Sequence, residues 1–430
     1  MTPPREPDSL RRPAEPAGTV DDMMPFEHVV VVMMENHSFD NLLGAVPRSG
    51  QPAADGLSFD GSGQPTNTNP GATGTPATVT AFAFSSTAQG PHVSQTWNAT
   101  HEQIGGGKMD GFVRSVNATQ PMGYYPREVL PFAYDLAATF TLANRWFCSA
   151  PCQTFPNRRF LMAGTAYGDI ATDVQSLTEP PPPNGTIFDR LHAHAISWCD
   201  YFTDLPYTAV IPSIVEKYPG NLATLNDFFD DCAKGTLPSV SFVDPEVGAV
   251  SLVGKTLASL PVVGSLLGTL GTVGGDEEAP QDMYYGEAWA HRVVEAVLRS
   301  PAWPRTLLIY TYDEHGGYYD HVPPPAAIPP DSIPPQLTAG DAPGGYDIYG
   351  PRVPAVVVSP YAKPQAVTDI VHDHTSVLAT IEAKWNLPAL TYRDANAATV
   401  MDFVDPDHAA FATPPAIQGP SLIGPSGPAA

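Results

Sequence analysis

Cationic side chains are scarce in this chain. Lys and Arg together number 21 against 45 Asp and Glu, for a formal charge of −24. A field of that sign repels phosphate backbones, so nucleic acid is excluded as an expected partner. It also argues against electrostatic docking on anionic lipid, while leaving a zwitterionic surface open. An acidic enzyme that handles phosphate esters must then carry a local positive centre, most simply a metal. Cysteine is scarce too, with four in 430 residues, too few for a disulfide scaffold. Cys148 could pair with Cys152 and Cys199 with Cys232, a choice that spacing does not decide, and the spacing matches no zinc site. No uninterrupted apolar run is long enough for a transmembrane helix. Arg11 and Arg12 are followed by proline rather than an apolar core, so no secretory leader is expected and a cytoplasmic location is the default.

What the chain does have is apolar content, 43% of its residues, enough for a large core. Residues 1–25 read as a disordered tail, residues 26–412 as one domain, and the Pro/Gly-rich residues 413–430 as a second tail. Three long insertions interrupt the domain, at 44–91, 247–275 and 323–348. The middle one carries a single charge, Lys255, and its glycines and Pro261 suit a segment that rearranges. It is expected as an apolar flap beside a catalytic cleft, with a buried pair of helices as the plainer alternative.

Between the insertions, strand-like and helix-like stretches alternate. The run from Val29 to Val32, the run from Thr306 to Tyr312, and residues 240–243 and 353–358 read as buried strands. Residues 126–146, 222–232 and 286–299 read as helices, and a helix opens at residues 372–374. This alternation predicts an α/β fold with a mainly parallel sheet and helices on both faces. In such sheets ligands bind beyond the carboxyl ends of the strands. Glu35 and Asn36 follow one strand, and Asp313 and Glu314 follow another. Thr154 stands at a helix start, with Pro156 in the first turn, where free N–H groups favour an anion. Asn157, Arg158 and Arg159 lie in that same turn, where cations oppose the helix dipole, so a phosphate is their expected partner. If these groups converge, three carboxylates, an amide oxygen and a hydroxyl form an oxygen-only cage suited to Mg²⁺, Ca²⁺ or Mn²⁺. A hydroxyl held there ionises more easily, which would make Thr154 a nucleophile towards phosphorus.

Four blocks, ENHSFDNLLG, TFPNR, YDEHGGYYDHVPPP and HDHTSVLATIE, together resemble the bacterial and plant phosphoesterase family. That family includes non-specific or phosphocholine-preferring phospholipases C and a group of acid phosphatases. The resemblance spans roughly residues 26 to 400 and implies an alkaline-phosphatase-like fold with a single divalent metal. It implies Glu35, Asn36, Thr154, Asp313 and Glu314 as the metal shell, and Thr154 as the nucleophile. His92, His315, His321 and His374 are candidates for holding phosphoryl oxygens or protonating the leaving group, with Asn157 and Arg158 on the substrate. Members commonly carry a His-Pro pair where this chain has Ala279-Pro280. Three activities stay open at this point. They are phospholipase C action on glycerophospholipid at a membrane surface through a phosphothreonine, a soluble acid phosphatase or phosphodiesterase, and a catalytically silent relative that binds metal or lipid.

Overall fold

The computed structural model describes residues 4–247, 275 and 277–421. The expected flap at 247–275 lies, except for its two end residues, outside the described residues. One sheet of eight strands organises the chain. In chain order these are β1 (His28–Met34), β2 (Thr141–Ala143), β3 (Trp198–Phe202), β4 (Leu222–Thr224), β5 (Val240–Asp244), β6 (Thr306–Tyr312), β7 (Ala355–Val358) and β8 (Val367–Thr368). Across the sheet the order is β8-β2-β7-β6-β1-β5-β3-β4. Only β7 runs antiparallel to its neighbours, and the remaining pairs are parallel. The α/β reading with a mainly parallel sheet is therefore what forms.

Central strands β5 and β6 are buried at every position, and β1 at all but its first, so both sheet faces are covered. That burial is why these strands read as continuous apolar runs rather than alternating ones. The main helices fall into two packed groups. Met283–Leu298 packs against Pro131–Thr139 and Leu225–Lys234, and Thr154–Ala163 packs against Ile187–Ala193 and Thr375–Trp385.

Several boundaries differ from the sequence reading. The helix expected over 126–146 is confined to Pro131–Thr139, because residues 141–143 leave it to pair with β7 and β8. The helix expected from residue 222 starts at Leu225, after an edge strand that pairs with β3. Residues 4–25 are not a free tail. Arg12 donates to the Ala383 and Thr19 carbonyls and to Asp21, the Asp8 N–H donates to the Ala389 carbonyl, and the Ala389 N–H donates to the Ser9 carbonyl. The 44–91 excursion is partly ordered by its own hairpin, Thr68–Pro70 against Thr78–Thr80. At the other end, Gln418 donates to Asp135 and Ile417 is buried, so the described part of the second tail also docks. All four cysteines are free thiols.

Candidate active site at the carboxyl ends of the central strands

Parallel register brings the first acidic groups together. Met34 at the end of β1 lies opposite Tyr312 at the end of β6, so Glu35 and Asp313 leave the sheet side by side. Two loops then cross tightly. Asn36 sits at φ 69° and Gly316 at φ +62°, and a Cβ on Gly316 would lie 1.8 Å from the Asn36 carbonyl oxygen. Only glycine tolerates both that conformation and that approach. The crossing is fixed by the Asn36 N–H donating to Asp313 Oδ1 at 3.2 Å and the Gly316 N–H donating to Glu314 Oε2 at 2.8 Å.

Into this edge points Arg158, from the helix Thr154–Ala163. It is fully buried, with Nε 3.2 Å from Asp313 Oδ2 and Nη2 3.7 Å from Glu35 Oε1. Nη2 also donates to the Met33 and Met34 carbonyls at 3.2 and 3.3 Å. Arg158 thus serves carboxylates and strand ends, where the sequence suggested a phosphate. Arg159 does likewise, pairing with Asp169 at 2.9 Å and Glu179 at 3.1 Å. Thr154 lies one turn before Arg158, and residues four apart share a helix face. Thr154 itself is only 2% exposed. Asn157 is committed elsewhere. It accepts from the Ala150 N–H at 3.0 Å and donates to the Cys152 carbonyl at 2.8 Å, locking the approach to the helix.

The acids repel one another. Burial, then the charge of Asp313, pushes Glu35 and Glu314 well above the usual carboxylate range, with Arg158 pulling Glu35 back. Burial also raises Asp313, against the pull of Arg158. A fourth member was not singled out from sequence: Glu278, raised to about 7 by burial and then by Asp313. Its only signal was an acidic run beside Ala279-Pro280. One guanidinium among four buried carboxylates leaves a cation deficit. Glu314 Oε1 is buried with no hydrogen-bond partner, and the donors are all oxygens. Both facts fit a hard divalent cation.

The ligand atoms of Asp40, Asp320 and His321 also lie within 4.8 Å of one another. There, however, Arg352 already sits between the acids, at 2.9 Å from Asp320 and 3.3 Å from Asp40. His321 bridges Asp40 at 2.7 Å and Asp55 at 3.2 Å, so this group is neutralised by protein cations.

The histidines separate by what their nitrogens are doing. His374 donates from Nε2 to the Asp313 carbonyl at 2.6 Å and accepts from the Trp146 indole at 3.4 Å, so it braces the strand end. Burial drives it down to about 4 and His315 to about 3, so both are neutral. His315 donates from Nε2 to Gln103 at 2.7 Å, and its Nδ1 lies 3.5 Å from Glu314. His92 alone stands at the rim, with its side chain 43% exposed and Nε2 3.4 Å from Glu278. It is held there because Gln89 and Thr87, just before it, bond to Glu277 and Met283 on the other side.

The phosphoesterase family model matches residues 26–388 of this chain. Non-specific phospholipase C6 of Arabidopsis thaliana is 33% identical over 409 residues, covering 88% of this chain and 72% of that protein. A non-hemolytic phospholipase C of Burkholderia pseudomallei is 30% identical, covering 86% of this chain and 56% of its own. Among solved structures, a Vibrio parahaemolyticus protein in the alkaline phosphatase superfamily aligns at 11% identity and a TM-score of 0.37, over 81% of this chain and 77% of that one. With the acidic strand ends and the matched span together, the conclusion is direct: the chain belongs to the phosphoesterase family and is a phosphoric-ester hydrolase.

Proposed function

We propose that this chain is a phospholipase C, cleaving a glycerophospholipid into diacylglycerol and a phosphorylated head group through a transient phosphothreonine. The observation that carries the reading is the place of Thr154, 2% exposed and one turn before the arginine that pairs with Asp313 and faces Glu35. Relatives named non-specific phospholipase C support the substrate class. Glu35, Asn36, Asp313 and Glu314, with Thr154, would hold one divalent cation. Bound there, it would ease ionisation of the Thr154 hydroxyl and offset charge on the phosphoryl oxygens. Thr154 Oγ1 attacks phosphorus, the diacylglycerol oxygen leaves, and water then cleaves the phosphothreonine. His92 protonates the departing oxygen. It is the most exposed imidazole of the set, its side chain 43% exposed against 24% for His321.

Two measurements test this. Thr154→Ala should lose about three decades of turnover or more, the scale for removing a nucleophile that works as part of a unit. Near-wild-type turnover in that variant would remove Thr154 from the reaction. A phosphocholine ester and a chromogenic phosphomonoester, assayed side by side in Mg²⁺, Ca²⁺ and Mn²⁺, decide the substrate. Preference for the monoester moves the chain to the soluble phosphatase reading, and silence on both makes it a binding relative.

A further inference from the structure

A tyrosine outside every matched block touches two charged members of the site. Tyr207 opens the short 3-10 turn Tyr207–Val210 that follows β3. The turn is pinned from the sheet below it. The Tyr207 N–H donates to Asp244 Oδ2 at 2.6 Å, and the Thr208 hydroxyl donates to Asp200. Asp200 lies in the middle of β3 and Asp244 at the end of the adjacent β5. From that base the phenol hydroxyl donates to Glu35 Oε1, and the ring lies under the Arg158 guanidinium, with Cζ 3.3 Å from the ring centroid.

Two consequences follow for Glu35. Its Oε1 is taken by the phenol, while among the described residues Oε2 has only the long 3.4 Å contact from the Asn36 amide. Oε2 is therefore the oxygen left over for a cation. Arg158, stacked on the ring, stays at 3.7 Å from Glu35 instead of closing into a two-pronged pair. Guanidinium and carboxylate favour that bidentate pairing, and it would fill the space a cation needs. We infer that Tyr207 is a positioning residue for the cation site: its hydroxyl orients Glu35 and its ring restrains Arg158 from occupying the site. This inference rests on the cation reading proposed above. No backbone periodicity or motif marks Tyr207, so the contact geometry alone assigns it.

The test uses the full chain with Mn²⁺ as probe, read by calorimetric titration and by kinetics on a soluble phosphocholine ester. Tyr207→Phe keeps the ring and loses the hydroxyl. It should weaken Mn²⁺ binding by about 10- to 100-fold, the range for partners that orient a ligand. Its kcat should fall at limiting Mn²⁺ and recover at saturating Mn²⁺, with KM for the ester unchanged. Tyr207→Leu, which also releases Arg158, should bind Mn²⁺ more weakly still. Wild-type Mn²⁺ affinity in a folded Tyr207→Phe chain overturns this inference alone. A wild-type chain that binds none of Mg²⁺, Ca²⁺ and Mn²⁺ overturns the cation reading with it. Should Tyr207→Leu fail to fold, the near-isosteric Phe variant still decides the role of the hydroxyl.

Discussion

His321 illustrates how a residue near the site can owe its charge to structure. Burial alone would pull its pKa down, but the Asp40 charge and hydrogen bond, with Asp320, outweigh burial and raise it from 6.5 to about 9. A group whose folded value is raised stabilises the fold fully below its unfolded value, and that contribution disappears as pH climbs through the folded value. The stability difference between wild type and His321→Gln, measured by urea denaturation, should therefore be full at pH 6 and fade through pH 9. A difference that ignores pH would mean His321 acts by packing alone. Residue contacts were the least legible feature of the sequence. His315, His321 and His374 all stand within a few residues of acidic motifs, yet Gln103 takes one nitrogen of His315, Asp40 and Asp55 take both of His321, and Trp146 takes one of His374. Each of those partners lies more than two hundred residues away in the chain from its histidine, and no local pattern announces them. The same distance hid Tyr207, whereas the neighbouring positions of Glu35 and Asp313 could be read because each follows a strand.

Elements were more legible than residues. The runs HVVVVMM and TLLIYTY could hardly be anything but buried strands, and parallel register then forced Glu35 beside Asp313. What composition could not reveal was docking. Residues 4–25 look like a tail because they are proline-rich and polar, but Arg12 spends its donors on the carbonyl of Ala383 at the end of the helix Thr375–Trp385. Asn386, just past that helix, bonds back to the Arg12 N–H and to the Arg12 and Glu15 carbonyls. A segment held mainly by Arg11, Arg12, Arg190, Lys384 and a few backbone bonds, with little apolar burial, should open before the domain does. Arg12→Ala is expected to speed hydrogen exchange and proteolytic cutting across residues 4–25 with turnover unchanged. Protection equal to wild type would show that the asparagine contacts suffice. The short strand β2 was missed for a related reason, since its only reason to be extended is pairing with β7 and β8, more than two hundred residues onward.

At the scale of the whole molecule, the sheet gathers charge of one sign at one edge, and the surface repeats that sign. With 21 cationic and 45 anionic side chains, the chain carries −24. A local cation among the strand-end carboxylates offsets this only at short range, because screening in salt confines its field to about 10 Å at 0.1 M. A membrane meets the outer field first. Anionic lipid should repel the enzyme before any head group reaches Thr154, whereas a zwitterionic surface presents no such barrier. Hydrolysis of phosphatidylcholine in vesicles should therefore fall as anionic phospholipid is mixed in. It should recover when salt is raised towards 1 M, where the screening length shrinks to about 3 Å. The same salt series on a soluble phosphocholine ester separates surface repulsion from effects inside the site, and should leave that rate nearly flat. If anionic lipid instead leaves vesicle hydrolysis unchanged or speeds it, then a surface other than the acidic one meets the bilayer, and net charge has no part in how this enzyme finds its substrate.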